Sequence, residues 1–264
     1  MKYDFKYRWI KLRIMEVHVG CCGFPMAMKK YFEKFSAVEV QSTFYRFPSP
    51  KVVESWRAAA PKGFIFCIKA FQGISHPTTS PTWRRSGLSE EEIKNLGEEV
   101  GYLRPTKEVF EFWNKTLEIA KSLDARACLI QLPSSFKCSP GNIKNVEGFF
   151  KKAKRNGILI ALELRGWPQE NFRDVCKCFD LISVVDPFKE PPVWFSKSKV
   201  AYFRLHGAPP GKRMYNYKYM ENDLKWLAER VQELKDCREV YCFFNNISMA
   251  EDALRFERLI ARCL

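Results

Sequence analysis

Residues 158–165 read ILIALELR. The run is almost continuously apolar until Glu163 and Arg165, as expected for a parallel strand covered by helices on its outer face. Glu163 and Arg165 are two positions apart, so they lie on the same side of that strand. Seven other stretches share the pattern: 16–20 (EVHVG), 37–41 (AVEVQ), 64–70 (FIFCIKA), 127–132 (ACLIQL), 181–185 (LISVV), 200–206 (VAYFRLH) and 239–244 (EVYCFF). Helix-type sequence separates most of them, which implies βα units, and eight such units suggest closure into a TIM-type (β/α)8 barrel.

The intervening stretches support that α/β reading. In 105–123, Phe110, Trp113, Leu117 and Ala120 fall on one helical face. Ser139-Pro140 reads as an N-cap followed by a first-turn proline. Ser248 and Glu251 have capping-box spacing before a last helix whose face carries Ala253, Phe256, Ile260 and Cys263. Residues 50–60 and 219–235 are also helical in pattern. Two segments depart from it. Residues 71–104 form a long loop after strand 3, of the kind that serves as a lid or stays partly disordered. Residues 187–199 (PFKEPPVWFSKSK) have no helical period, so the sixth crossover is expected to be irregular.

A chain of 264 residues suits one barrel domain, here 15–264. Residues 1–14 carry Lys2, Lys6, Arg8, Lys11 and Arg13 against Asp4 and read as a basic N-terminal extension ahead of Met15. No signal-peptide core and no apolar run of membrane-spanning length occurs, so no membrane partner is expected. Ten cysteines show no CxxC spacing, and Cys67 and Cys242 sit inside apolar runs. A zinc ribbon is not indicated, and the cysteines fit a reducing cytoplasm. The net charge of +14 favours polyanion partners, nucleic acid among them. Lys144, Lys151, Lys152, Lys154 and Arg155 read as a solvated helix face around Glu147, with a nucleic-acid contact as the alternative. Trp83-Arg84-Arg85 could clamp a polyanion or belong to a solvated loop. Phe44, Tyr45, Phe47 and Trp56 read as packing around the exit of strand 2.

Barrels of this kind carry their chemistry at the C-terminal ends of the strands, and here those ends are polar. Strand 1 runs into Gly20-Cys21-Cys22-Gly23. Strand 2 carries Glu39 and Gln41, followed by Ser42 and Thr43. Strand 3 ends in Lys69, with His76 in the following loop, and strand 4 ends in Gln131. Glu163 and Arg165 follow on strand 5, Asp186 on strand 6, Arg204 and His206 on strand 7, and Asn245-Asn246 on strand 8. Glu39/Gln41 and Arg204/His206 repeat the spacing of Glu163/Arg165. Facing the axis, these groups converge on a site, or they plug the mouth as mutual ion pairs.

Taken together, GCCGF, VEVQSTFYRFPSP, FIFCIKAFQGISHP, LIQLPSSF, LELRGW, the lone Asp186, YFRLHG and FFNN make the chain similar to the DUF72 family over roughly residues 16–256. The resemblance implies a TIM-type barrel without an assigned chemistry. It also implies a pocket lined by Glu39, Ser42, Thr43, Tyr45, Lys69, His76, Gln131, Glu163, Arg165, Asp186, Arg204, His206 and Asn245. The chain differs from the family's usual sequence at Gln41, where asparagine is usual, and at Cys21-Cys22-Gly23-Phe24, where Thr-Ser-Gly-Trp is usual.

The expected reaction is acid–base catalysis on a small phosphorylated or carboxylated substrate. Glu163 and His206 would move protons, with Glu39 and Asp186 beside them. Lys69, Arg165 and Arg204 would hold the anion, and Gln131 and Asn245 would orient it. His76 is a second acid–base candidate or a surface residue, and His18 is a core residue. Glu39, Glu163, Asp186 and His206 could instead hold a divalent metal, although the three cations at the same rim would neutralise those carboxylates without one. A nucleic-acid enzyme or metal-dependent phosphodiesterase, and a non-catalytic binding barrel, are the competing functions.

Overall fold

The computed structural model describes residues 15–207 and 214–263, so the basic extension read over 1–14 lies outside the described residues. Eight parallel strands close a barrel in sequence order. They are β1 (Glu16–Cys22), β2 (Ala37–Val40), β3 (Ile65–Lys69), β4 (Ala125–Gln131), β5 (Leu159–Glu163), β6 (Ile182–Val185), β7 (Val200–Leu205) and β8 (Glu239–Phe244). Between them run α1 (Met28–Phe32), α2 (Ser42–Tyr45), α3 (Pro50–Ala59), α4 (Gln72–Ser75), α5 (Glu90–Leu96), α6 (Lys107–Ser122), α7 (Pro140–Lys152), α8 (Gln169–Phe179) and α9 (Glu221–Gln232), and α10 (Met249–Ile260) follows β8.

The barrel interior is filled unevenly. Ala37, Cys67, Ala127 and Ala161, on β2 to β5, point small side chains inward, while Tyr202, Tyr241 and Phe243 point rings inward from β7 and β8. Those rings occupy the space the small residues leave, with Tyr202 and Phe243 centroids 5.2 Å apart. This lopsided filling brings the Tyr202 hydroxyl across to Glu39 of β2. At Gly20 a Cβ would stand 2.2 Å from the Ala37 carbonyl oxygen, so only glycine allows β1 and β2 this approach.

Ser139 caps α7 as its sequence suggests, accepting from the Asn142 N–H at 3.3 Å. The capping box read at Ser248 does not form. Ser248 makes no side-chain cap bond, and Glu251 instead pairs with Lys218 at 2.6 Å. Cys263 lies beyond α10 and is exposed, so it does not share that helix's buried face.

The connection 71–104 is a structured cover. It contains α4, α5 and a 3-10 turn at Pro81–Arg85, and a capping box joins Ser89 to Glu92. Trp83 is buried and donates Nε1–H to the Pro77 carbonyl at 2.8 Å, so it packs and has no free face for a polyanion. The far end of the cover is bonded to the start of it, Gly101 N–H to Gly73 O at 2.7 Å. Gly101 has φ +80°, and a Cβ there would meet the His76 carbonyl carbon at 2.5 Å. The sixth crossover has no helix, as expected. Ser183 Oγ on β6 fixes it by donating to the Trp194 carbonyl at 2.8 Å. None of the ten cysteines is in a disulfide, and seven of them are buried. No described helix is long and apolar enough to cross a membrane.

Candidate active site

Period two along the strands decides which polar groups enter the mouth. Tyr202 and Arg204 of β7 and His206 just past its end alternate inward, and Gln131 of β4 stands in register with Glu163 of β5. The resulting polar groups form two tiers.

The inner tier is centred on Arg204, which is 1% exposed. Its Nε donates to both carboxylate oxygens of Glu39 at 3.1 Å, and its Nη1 donates to Glu163 Oε2 at 2.7 Å. Nη2 lies 3.8 Å from Cys22 Sγ. Glu39 is fully buried and also accepts the Tyr202 hydroxyl at 2.7 Å and the Gln41 amide. Glu39 and Arg204 therefore saturate one another below the opening. Burial opposes the Arg204 charge, but the Glu39 and Glu163 carboxylates outweigh it and hold its pKa well above the ordinary value.

The outer tier borders a cavity of about 220 Å³ lined by Glu163, Arg165, Gly166, Asp186, Lys189, Glu190 and His206. Arg165 donates from Nε to Glu163 Oε1 at 2.6 Å, and its side chain is 28% exposed, which leaves the far edge of the guanidinium facing the opening. Burial would raise the Glu163 pKa, but Arg165 and Arg204 outweigh it and hold the carboxyl well below its usual range. Asp186 Oδ2 accepts from the His206 backbone N–H at 3.1 Å and lies 3.3 Å from Nδ1. A carboxylate only accepts, so the neutral ring carries its proton on Nδ1 and its lone pair on Nε2. Nε2 lies 3.4 Å from both Arg165 Nη2 and Arg204 Nη1. Burial lowers the His206 pKa, and Asp186 opposes that shift.

Lys69 closes the β3–β4 side. Its Nζ donates to Gln131 Oε1 at 2.8 Å and lies 3.8 Å from the centre of the Phe44 ring. Burial, helped by Arg204, brings its pKa down from 10.5 to about 7. His76 is buried against the edge of Phe44, with Nδ1 2.8 Å from Ser75 Oγ, so it is not a surface residue; burial and Lys69 lower its pKa to about 3.

The remaining residues of the expected pocket are not gathered at this cavity. Ser42 is exposed at the start of α2. The Thr43 hydroxyl is taken by the carbonyls of Val40 and Lys69, at 3.1 and 2.7 Å, which tie β2 to β3. Tyr45 lies under the Arg85 guanidinium at 3.5 Å. Asn245 ends β8 half-buried, while its neighbour Asn246 anchors the Tyr217 carbonyl and Asp252. Glu39, Glu163, Asp186 and His206 do not fit a metal ligand set, because the Arg204 guanidinium occupies the space between the two glutamates and Asp186 faces Nδ1 of the histidine. Among the described residues no group of three or more such side chains converges. Sequence reasoning missed Tyr202, Lys189 and Glu190. Tyr202 was legible as the inward position two before Arg204, but the other two sit in a crossover without periodicity. A larger cavity, about 510 Å³, opens at the opposite end, but its arginines are engaged: Arg57 with the Phe64 and Pro61 carbonyls, Arg126 with Glu239.

Proteins of known structure share this architecture. A DUF72 family protein from Enterococcus faecalis V583 is 25% identical, with TM-score 0.68, covering 94% of this chain and 99% of its own. One from Thermotoga maritima MSB8 is 23% identical, with TM-score 0.65, covering 93% and 99%. UPF0759 protein YunF of Bacillus subtilis (strain 168) is 22% identical over 253 residues, 86% of this chain and 82% of that protein. D-psicose 3-epimerase (14% identical, TM-score 0.55, 88% and 90% covered) and endonuclease IV from Thermus thermophilus (12%, 0.52, 94% and 98%) share the fold alone. The family model described as "Protein of unknown function DUF72" matches residues 25–264, and this chain belongs to the DUF72 family.

Proposed function

We propose that the C-terminal mouth of this barrel is an enzyme active site that binds a small phosphorylated or carboxylated substrate and moves protons on it. The observation that carries this reading is the Asp186–His206 pair lining the same cavity as the partly exposed Arg165 guanidinium. A base oriented by a carboxylate and a planar cation with a free edge are the two parts such a reaction needs. Arg165 holds the anion, and His206 Nε2 takes the proton once the bound anion draws the Arg165 Nη2 donor off its lone pair. Glu163 sits between them: it shares Arg165, and it can serve as base only when a ligand draws that guanidinium away. Glu39 and Arg204, saturated beneath the cavity, position Glu163 and do not touch the substrate. Lys69 and Gln131 flank the opening from β3 and β4.

Thermal shift with inorganic phosphate, phosphorylated metabolites and small carboxylates tests the reading. A ligand at 100 times its Kd adds about 2.7 kcal/mol of stability. The expected hit shifts the wild type and not Arg165→Gln, and His206→Gln keeps the shift but loses turnover of the same compound. A panel in which no anion distinguishes the wild type from Arg165→Gln rejects the site.

A second reading draws on the net charge of +14 and on exposed Arg46, Arg84 and Arg85 beside the mouth. These could hold a nucleic-acid backbone, and binding by them would fall steeply with salt.

A further inference from the structure

Two carboxyl groups line the mouth cavity in opposite electrostatic settings. Glu163 is clamped by Arg165 and Arg204 and stays ionised. Glu190 is half-buried on the other wall and, among the described residues, forms no ion pair. Its position is set by the residue that orients His206. Asp186 accepts the Lys189 and Glu190 backbone N–H groups on its carbonyl at 2.9 and 3.1 Å, and the Phe188 N–H on Oδ1 at 3.2 Å. One aspartate therefore fixes the base on β7 and the start of the helix-less crossover together.

We infer that Glu190 is the catalytic proton donor of this mouth, working across the cavity from His206. The assignment rests on the proposed acid–base reading of the site. The groups facing Glu190 are Glu163 at the end of β5, Arg165, Asp186 and His206 just past the ends of β5, β6 and β7, and Lys189 beside it. Arg230 and Glu233 of α9 and the turn after it line a neighbouring cavity that Lys189 and Glu190 also border. Burial, then the negative charges of Glu163 and Asp186, push the Glu190 carboxyl upward, against the pull of Lys189. Neighbouring carboxyls driven apart in this way divide into acid and base. In the step, His206 Nε2 takes one proton from the substrate and Glu190 gives one to a substrate oxygen. The substrate keeps its charge. Proton exchange with water through the half-open side of Glu190 restores both groups.

Sulfate is a suitable probe because its charge does not change over the useful pH range. Its affinity is measured by calorimetry from pH 4 to 8 on the wild type, Glu190→Gln and Arg165→Gln, beside a 13C-carboxyl NMR titration of glutamate. The Glu190 resonance is expected to titrate above the ordinary value of about 4.3 and to move down in Glu163→Gln. Wild-type sulfate affinity is expected to fall about tenfold as Glu190 ionises, because a donor to the anion becomes a like charge. Glu190→Gln should remove the fall on the acid side of the range, leaving the one near pH 7 where Lys69 loses its charge, and Arg165→Gln should weaken binding at every pH. A Glu190→Gln profile that still follows the wild type, while Arg165→Gln loses sulfate, overturns the Glu190 assignment alone. Sulfate binding that is absent, or indifferent to Arg165, overturns the anion site. The NMR titration then decides Glu190 by itself, an ordinary midpoint counting against it.

Discussion

The two mouths of this barrel are both polar, and they are built differently. At the N-terminal end, Arg126 of β4 pairs with Glu239 of β8, the Tyr241 hydroxyl donates to the same carboxylate at 2.5 Å, and His18 stacks on Tyr241 at 5.0 Å. The Arg126 side chain is 43% exposed, so water solvates much of the charge. At the C-terminal end, Glu39, Glu163 and Arg204 form a charged cluster with almost no exposure, overlaid by Arg165, His206, Lys69 and Asp186. Among the described residues, the N-terminal end is held by the half-exposed Arg126–Glu239 pair, with His18 near Glu16 at 3.7 Å. The other packs more charge than closure requires and leaves part of it, Arg165 and His206, on a cavity. Shifted groups occur at both ends, but only the C-terminal end sets nearly unexposed charges beside a cavity, and that favours it as the proposed site.

The comparison breaks most visibly at Arg204. Arg204→Leu strands the fully buried Glu39 and leaves Glu163 with Arg165 alone, and should lower the unfolding free energy by about 3–5 kcal/mol in urea denaturation. If instead the loss is below about 1 kcal/mol, the inner tier is hydrated and the contrast between the mouths falls. Replacing Glu39 and Arg204 together by leucine should recover most of that loss, since Glu163 keeps Arg165 and no charge is left unpaired.

Lys69 offers a pH-dependent test. Its folded pKa of about 7 lies below its ordinary 10.5, so between those values the unfolded chain binds the extra proton. Lys69 should therefore contribute stability that rises with pH across that window, while the buried thiols, whose pKa values burial raises, contribute the opposite slope in either protein. The Lys69 part is the difference between wild type and Lys69→Met, with the wild type gaining relative to the variant from pH 7 to 8.5 to 10 in denaturation midpoints. Equal slopes in the two proteins would mean that the amine is solvated.

The smallest effect is expected at the other end. Arg126→Leu breaks a pair that is open to solvent and should cost about 1 kcal/mol or less, with the difference shrinking in high salt. A loss as large as that of Arg204→Leu would make the two mouths equivalent.

The sequence by itself determined the barrel and most of the groups that enter its mouth. A parallel strand under helices is apolar on both sides, so Glu39, Lys69, Glu163, Arg204 and His206 stood out against their runs, and period two assigned the paired ones to one side. It could not say which charges cancel. Arg204 and Glu39 lie 165 positions apart, and they meet only because closure of the barrel sets β7 across from β2. The same closure consumes the Thr43 hydroxyl between two strands and buries His76. Packing of the cover over strand 3 buries Trp83, which the local sequence leaves ambiguous between a loop and a clamp. Glu190 belongs to a crossover with no period to read, and only the turn anchored on Asp186 carries it to the cavity. Local pattern reports the environment a residue must enter, whereas charge pairing depends on distances between strands that only the closed barrel fixes.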